Sequence, residues 1–459
     1  MDSEATRGLL AEAARRAADY LEGLDARRVS ALPGAAERLA AAIEEPFPEG
    51  PSQAAQVLAT LDDYGSPATV ASAGGRYFGF VTGGALPATL AAQTLATAWD
   101  QNAASFVSSP AAAIFEETAL RWVKEVLGLP PGAAGCIATG ATMANFACLA
   151  AARNRVLAEA GWDVDAKGLF GAPAPSVVVG EEVHASLLKV LSMLGFGRER
   201  VIRLPVDSQG RIRAEGLPEL SGPAILCIQA GNVNSGAFDP APELIGWARR
   251  HDAWVHVDGA FGLWAAASPE LAPLAEGYGE ADSWATDAHK WLNVPYDSGI
   301  ALVRDPEALA GALSISGAYL LPSGRRDALQ ITPESSRRAR GVEVWAALRN
   351  LGRHGLAELL ERHCRQARRF AAALEEAGVE VLNEVVLNQV VAVFGSEREN
   401  AAVIARLQED GVCWCGGTSW RGRAAMRISL CNWRTGDDDV ERSIEAILAA
   451  LEAVLSRAS

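Results

Sequence analysis

From residue 135 to 303, short apolar runs alternate with stretches of helical periodicity, and this alternation leaves the chain few folds to choose from. Cys136-Ile137-Ala138 is the first run. Others cover 176–179, 201–204, 224–229, 253–257, 283–286 and 299–303. Helical spacing appears at 143–158, 184–195, 241–251 and 306–313. Runs that are apolar on both faces belong to strands covered from both sides, so the expected architecture is α/β with a mostly parallel sheet. In such sheets ligands bind beyond the carboxyl ends of the strands.

The flanks read differently. Residues 4–45 and 53–63 carry helical periodicity with little apolar mass, as expected of an arm that packs on another domain or subunit. The stretch Arg76 to Gly84 is aromatic and then glycine-rich, and serves equally as a connector or as a pocket wall. Helices are expected over 87–100 and 110–127, with Ser108-Ser109-Pro110 opening the second. After 313 comes a long arginine-rich connection, whose length suggests an active-site loop. Helices at 341–350, 355–377 and 437–456, and strands near 379–382, 389–394 and 425–430, read as a smaller α+β domain. The expected division is an N-terminal helical arm (1–85), a large domain (86–313), a loop or connector (314–344) and a small C-terminal domain (345–459).

A net charge of −15 disfavours nucleic acid and anionic membranes as partners. No window holds the roughly 18 uncharged apolar residues of a membrane helix, and the acidic start lacks the pattern of a signal peptide. Seven cysteines scattered through apolar runs suggest reduced thiols in a cytoplasmic protein. Cys413-Trp414-Cys415 has the wrong spacing for a redox or zinc pair and reads as strand packing; the six histidines form no metal-ligand pattern.

Lys290, in Asp287-Ala288-His289-Lys290-Trp291, follows a strand-like run and enters an apolar turn. Burial without a carboxylate partner disfavours the charged form of an amine, and a neutral amine attacks aldehydes to form a Schiff base. Asp258 ends a strand, and His184 opens a helix just past another. The turn Thr139-Gly140-Ala141-Thr142 lies between a strand and a helix, where free N–H groups and the helix dipole favour an anion. Each has a plain structural reading as a surface lysine, a turn aspartate, a satisfied histidine or a helix cap, and each alone would favour it. Together they match pyridoxal 5′-phosphate. Its phosphate needs a helix N-terminus, its aldehyde a lysine, its ring nitrogen a buried carboxylate and its ring face a flat group.

This order of motifs, above all His256-Val257-Asp258-Gly259-Ala260-Phe261-Gly262 and Asp287-Ala288-His289-Lys290-Trp291, resembles the group II pyridoxal-phosphate amino acid decarboxylases, from about Tyr77 to the C-terminus. The resemblance implies the fold-type I architecture, a mostly parallel seven-stranded sheet with helices on both faces and a smaller α+β domain. It implies decarboxylation of an L-amino acid, aromatic or large and apolar, through a Lys290 Schiff base. Asp258 would face the ring nitrogen, His184 would stack on the ring, and Ala260 would pack on the opposite face. Ala141 and Thr142 would hold the phosphate with His289 nearby, and Asn232 would lie near the phenolic oxygen. Phe80 would contact substrate. Arg427 resembles the substrate-carboxylate-binding arginine of some related aminotransferases, or else is a structural strand residue. The family is a homodimer with its active sites at the interface, the N-terminal helices clasping the partner and residues 106–109 reaching the neighbouring cofactor.

The chain departs from the pattern in one place that touches chemistry. Aromatic amino acid decarboxylases carry a loop tyrosine that returns a proton to the substrate, whereas residues 321–344 contain neither Tyr nor Phe, and Tyr319 matches an earlier position. Oxidative deamination to an aldehyde, aldol-type cleavage and transamination therefore stand as alternatives at the same site, and a non-catalytic binding protein as a further one.

Overall fold

The computed structural model describes residues 3–316 and 324–458, so Tyr319 lies outside the described residues. These fall into two compact units. The larger comprises 83–368 and 383–390, the smaller 1–82, 369–382 and 391–459.

The larger unit is built on a seven-stranded sheet: β1 (Ala134–Ala138), β2 (Ser176–Gly180), β3 (Ile202–Leu204), β4 (Ala224–Gln229), β5 (Trp254–Asp258), β6 (Ser283–Asp287) and β7 (Gly299–Val303). Their order is β1-β7-β6-β5-β4-β2-β3. The pairs β3–β2, β2–β4, β4–β5 and β5–β6 are parallel, while β7 runs antiparallel to both β6 and β1. Every residue of β4, β5, β6 and β7 is buried, which is why β4 and β7 read as nearly continuous apolar runs instead of alternation.

The Ala141–Glu159 helix packs across this sheet. Its alanines at 144, 147, 150, 151 and 152 are buried, and small side chains let a helix lie close to strands. At 0 % exposure, Leu149 is a position where truncation to alanine would cost about 2–5 kcal/mol.

The expected helices at 341–350 and 355–377 form one element, Gly341–Glu376, broken at Gly352, whose φ of 59° lies in the left-handed region. Within the described part of the arginine-rich connection, Arg326 and Arg337 donate to the buried carboxylate of Glu116 at 2.8 and 2.7 Å. Ser109 precedes the Pro110–Val126 helix, but its hydroxyl donates to Asn102 O at 2.6 Å and does not cap that helix.

The smaller unit holds β8 (Glu380–Val381), most of β9 (Gln389–Val393), β10 (Gly416–Trp420) and β11 (Arg423–Ser429), in the order β10-β11-β9-β8. The helices Glu397–Asp410 and Asp437–Ala458 pack together in this unit. The N-terminal segment belongs here too. Val29 N–H donates to Gly411 O, and Arg76 donates to the carbonyls of Asp25 and Val412. Tyr77 stacks on Trp414 with centroids 5.0 Å apart and Phe78 is fully buried, so the start of the 76–84 stretch is packed core. Cys413 and Cys415 are buried, as are the other five cysteines, and all seven are free.

Candidate active site

Because β4, β5 and β6 are parallel neighbours, their carboxyl ends lie side by side. Gln229 is in register with Asp258, and Asp258 with Ala285. The loops beyond are cross-tied: Gly259 N–H donates to Ala285 O, and Asp287 N–H donates to Ala260 O, both at 2.9 Å. Beneath them Trp264, Trp284 and Trp291 are fully buried, and each indole N–H is satisfied: by Asp287 O, by Tyr278 O and by His363 Nδ1. That is a rigid floor for side chains that must hold position.

A cavity of about 250 Å³ opens above this floor, lined wholly by the larger unit. It brings together Ala141, Thr142, His184, Asp258, Ala260, His289 and Lys290, seven of the residues singled out from sequence. Asn232 is not in the lining. Its amide oxygen accepts from Asn234 and Ser235 N–H and closes its own turn, while its Nδ2 donates to Glu182 O. Gln229, Gly231, Val233, Ser186, Phe261 and Asp287 line the cavity as well, though sequence reasoning gave them no role. Phe80 and Arg427 belong to the smaller unit. Phe80 is 67 % exposed with its ring 5.4 Å from that of Trp414, and Arg427 sits in β11 opposite Gly416.

Asp258 is 6 % exposed. Burial raises its pKa, while the nearby His184 and Lys290 pull it back down. His184 is the N-cap of the Ala185–Met193 helix, and its Nδ1 lies 2.7 Å from Ser186 Oγ and accepts Ser186 N–H. Ser186 therefore fixes the orientation of the imidazole.

Lys290 does have a carboxylate partner: its Nζ is 3.4 Å from Asp287 Oδ2 and 6.0 Å from the ring centre of Phe261. Its main chain is held by the glycine half of the 76–84 stretch. A Cβ on Gly83 would stand 2.0 Å from Lys290 O, Gly83 N–H donates to His289 O, and Gly84 N–H donates to the Asn293 side chain.

The fit to a phosphorylated aldehyde can be tested on atoms. The Ala141–Glu159 helix opens into the cavity with Ala141 and Thr142 in its first turn. His289 Nδ1 is buried beside it with no hydrogen-bond partner, and burial lowers the pKa of this ring against the opposing pull of Asp287. An orphaned ring nitrogen, a helix start, an amine and a buried carboxyl in one cavity make a donor set suited to pyridoxal phosphate.

The pyridoxal-dependent decarboxylase conserved domain matches residues 37–394. The chain belongs to this family. Pyridoxal phosphate is thus its cofactor, and decarboxylation of an amino acid its reaction. Among curated relatives, the aromatic-L-amino-acid decarboxylase of Bacillus atrophaeus is 25% identical over 402 residues, covering 83% of this chain and 82% of that one. The L-2,4-diaminobutyrate decarboxylase of Rhizobium meliloti is 29% identical over 385 residues, 79% of this chain and 75% of the relative. The crystal structure of Oryza sativa TDC with PLP and tryptamine superposes with a TM-score of 0.89 over 99% of both chains at 22% identity. At that identity it speaks for the fold of this decarboxylase: the fold-type I architecture with its seven-stranded sheet. Among the described residues no helix is long and apolar enough to cross a membrane, and no cluster of His, Cys, Asp and Glu could hold a metal ion.

Proposed function

We propose that this decarboxylase acts on an aromatic or other large apolar L-amino acid, with Lys290, Asp258 and His184 as its catalytic residues. The supporting observation is that the Lys290 amine, the Asp258 carboxyl and the start of the Ala141–Glu159 helix line one cavity. Several relatives bear the names of aromatic-L-amino-acid, tyrosine and tryptophan decarboxylases.

In this reading Lys290 Nζ would hold the cofactor through its aldehyde and give way to the amine of the substrate. The freed Lys290 amine then stays close by, held by Asp287. When bound, pyridoxal phosphate supplies the electron sink that lets the α-carboxylate leave as CO2. Asp258 keeps that sink effective. A carboxylate buried this deeply is costly until a cation faces it, so it favours a proton on the group opposite. His184, held by Ser186, would cover one ring face and Ala260 the other. Ala141 and Thr142 would hold the phosphate, with His289 nearby. Asn232 acts by shaping the loop beside the phenolic oxygen. Substrate contact by Phe80 and Arg427 rests on family resemblance alone.

The working protein is a cytoplasmic homodimer in this reading, with active sites at the interface and residues 1–85 as clasp. The Ser3–Glu22 helix buries none of its side chains, and Leu10, Phe47 and Leu61 are exposed, as expected of a surface awaiting a second copy. The seven free cysteines suit a reducing compartment.

A second reading follows from the loop. Without Tyr or Phe in 321–344, the proton that returns to Cα must come from elsewhere, or dioxygen oxidises that carbon and water releases it as an aldehyde with peroxide and ammonia. One relative, from Arabidopsis thaliana, is named phenylacetaldehyde synthase. The test is a panel of amino acids assayed for CO2, aldehyde, peroxide and keto acid, with borohydride reduction and peptide mapping of the lysine. CO2 with amine and a label on Lys290 is expected. Aldehyde with peroxide and ammonia would replace the first reading by the second, and a label on another lysine would overturn the site.

A further inference from the structure

The start of the Ala141–Glu159 helix already meets an anion supplied by the chain. Asp287 Oδ1 accepts the Ala141 N–H at 2.6 Å, Oδ2 lies 3.4 Å from Lys290 Nζ, and Oδ1 lies 3.6 Å from His289 Nδ1. These donors are the ones assigned above to the cofactor, its phosphate and its aldehyde. The placement is fixed by the sheet: Gly299 of β7 pairs with Ala138 on one side and Asp287 on the other, so the aspartate stands one strand from the turn. The side chain is 3 % exposed. Its main chain is anchored to the floor beneath, where Trp264 Nε1 donates to the Asp287 carbonyl at 3.1 Å.

We propose that Asp287 is a resident competitor for the cofactor's phosphate: it occupies the Ala141 N–H and sets the affinity with which pyridoxal phosphate is loaded. A carboxylate and a phosphate at one helix start share its dipole and its N–H groups and repel each other. The phosphate must therefore displace the carboxylate or share the turn with it, and the favourable contacts of Thr142 and His289 are set against that cost. Asp287 is a positioning residue in this scheme, keeping Lys290 oriented before loading while weakening the hold on phosphate. The inference rests on the reading of Ala141 and Thr142 as the phosphate site.

The test compares pyridoxal phosphate with pyridoxal, which lacks the phosphate, by spectral titration of the cofactor-free protein. Asp287→Asn keeps an oxygen for the Ala141 N–H but removes the charge. The expected result is that Asp287→Asn raises the preference for pyridoxal phosphate over pyridoxal by about ten-fold, the size of a modest coupling between two sites. Dividing the two affinities cancels any change in Lys290 reactivity, because both ligands use the same aldehyde. Asp287→Ser serves as the second neutral variant should the asparagine protein fail to fold. A further readout needs no turnover: inorganic phosphate should raise the melting temperature of the cofactor-free variant and leave wild type unmoved. A preference that stays the same or falls, or a wild type stabilised by phosphate as strongly as the variant, overturns the inference. If wild type shows no preference for pyridoxal phosphate at all, the phosphate site is misplaced and both readings fail together.

Discussion

His256 Nε2 lies 2.8 Å from Asn145 Oδ1, joining the strand that ends in Asp258 to the helix that starts at Ala141. The other ring nitrogen is 2.9 Å from Ser283 Oγ, which itself accepts from Trp254 Nε1. These partners assign the proton to Nε2, with Nδ1 accepting from the serine. Burial pushes the His256 pKa down to about 3, so the imidazole is neutral in the folded chain. Its contribution to stability is complete above the ordinary histidine pKa and is lost as pH falls from there towards 3. Between pH 7 and 4.5 this residue should cost roughly 2–3 kcal/mol of unfolding free energy, at about 1.4 kcal/mol per pH unit below its unfolded pKa. His256→Gln can offer the same donor and acceptor without titrating. Denaturant unfolding at the two pH values should show a shallower acid loss in the variant; equal slopes would exclude His256 as the cause.

Glu116 is the second buried titration. Burial pushes its pKa up, but Arg337 and then Arg326 outweigh this and hold it below the usual carboxylate range. Its contribution is therefore present above that range and lost as pH falls through it. Glu116→Gln leaves Arg337, whose side chain is fully buried, without its counter-charge. A loss of about 3–5 kcal/mol is expected in denaturant unfolding, the cost of breaking a buried pair from one side. A loss within experimental error would mean that water or another carboxylate takes over the arginines.

Where the sequence was readable, burial made it so. The strands β4 to β7 are covered on both faces, and their runs stand out against polar helices. The strand Gly416–Trp420 escaped notice because Gly-Gly-Thr-Ser-Trp has no apolar run and only Trp420 is buried. The Glu397–Asp410 helix escaped too, although Ser396 and Glu399 form a capping box that three-residue spacing announces. Lys290, Asp258 and His184, which line one cavity, stood out because their order along the chain is itself a pattern. Asp287 stood in the same motif and was passed over. Nothing in one dimension shows that β7 sets it beside Ala141. Asn232 illustrates the converse: the sequence motif drew attention to it, but the side chain is spent on its own loop and stands outside the cavity lining.

Gly299 explains how the turn and Asp287 come so close. A Cβ there would stand 2.2 Å from the Gly140 carbonyl carbon, nearer than any packed contact allows. Gly299→Ala must push the turn away from β7. Overpacking of this kind costs about 1–3 kcal/mol, and if the strain falls on the site it appears as roughly ten-fold weaker cofactor binding. The expected outcome is a higher dissociation constant for pyridoxal phosphate in spectral titration, with far-ultraviolet circular dichroism unchanged. Unaltered binding would show that the turn has room to move without losing its phosphate contacts.

Asp258→Asn separates holding the cofactor from using it. The asparagine has nearly the same shape and sits on the same register between Gln229 and Ala285. The cavity, the Lys290 amine and the phosphate turn are untouched, so the visible band of the bound cofactor should remain and borohydride should still label Lys290. What disappears is the buried negative charge, and with it the reason for a proton to stay on the group opposite. Turnover should fall by about 10²-fold or more, as expected when a site loses a positioned proton partner. The loss should lie in kcat more than in KM, because substrate exchange at Lys290 does not use this carboxyl. Near-normal kcat in Asp258→Asn would move the ring-nitrogen role to another residue of the cavity. The nearest carboxyl in the lining is Asp287, and Asp287→Asn would then be the variant that loses turnover.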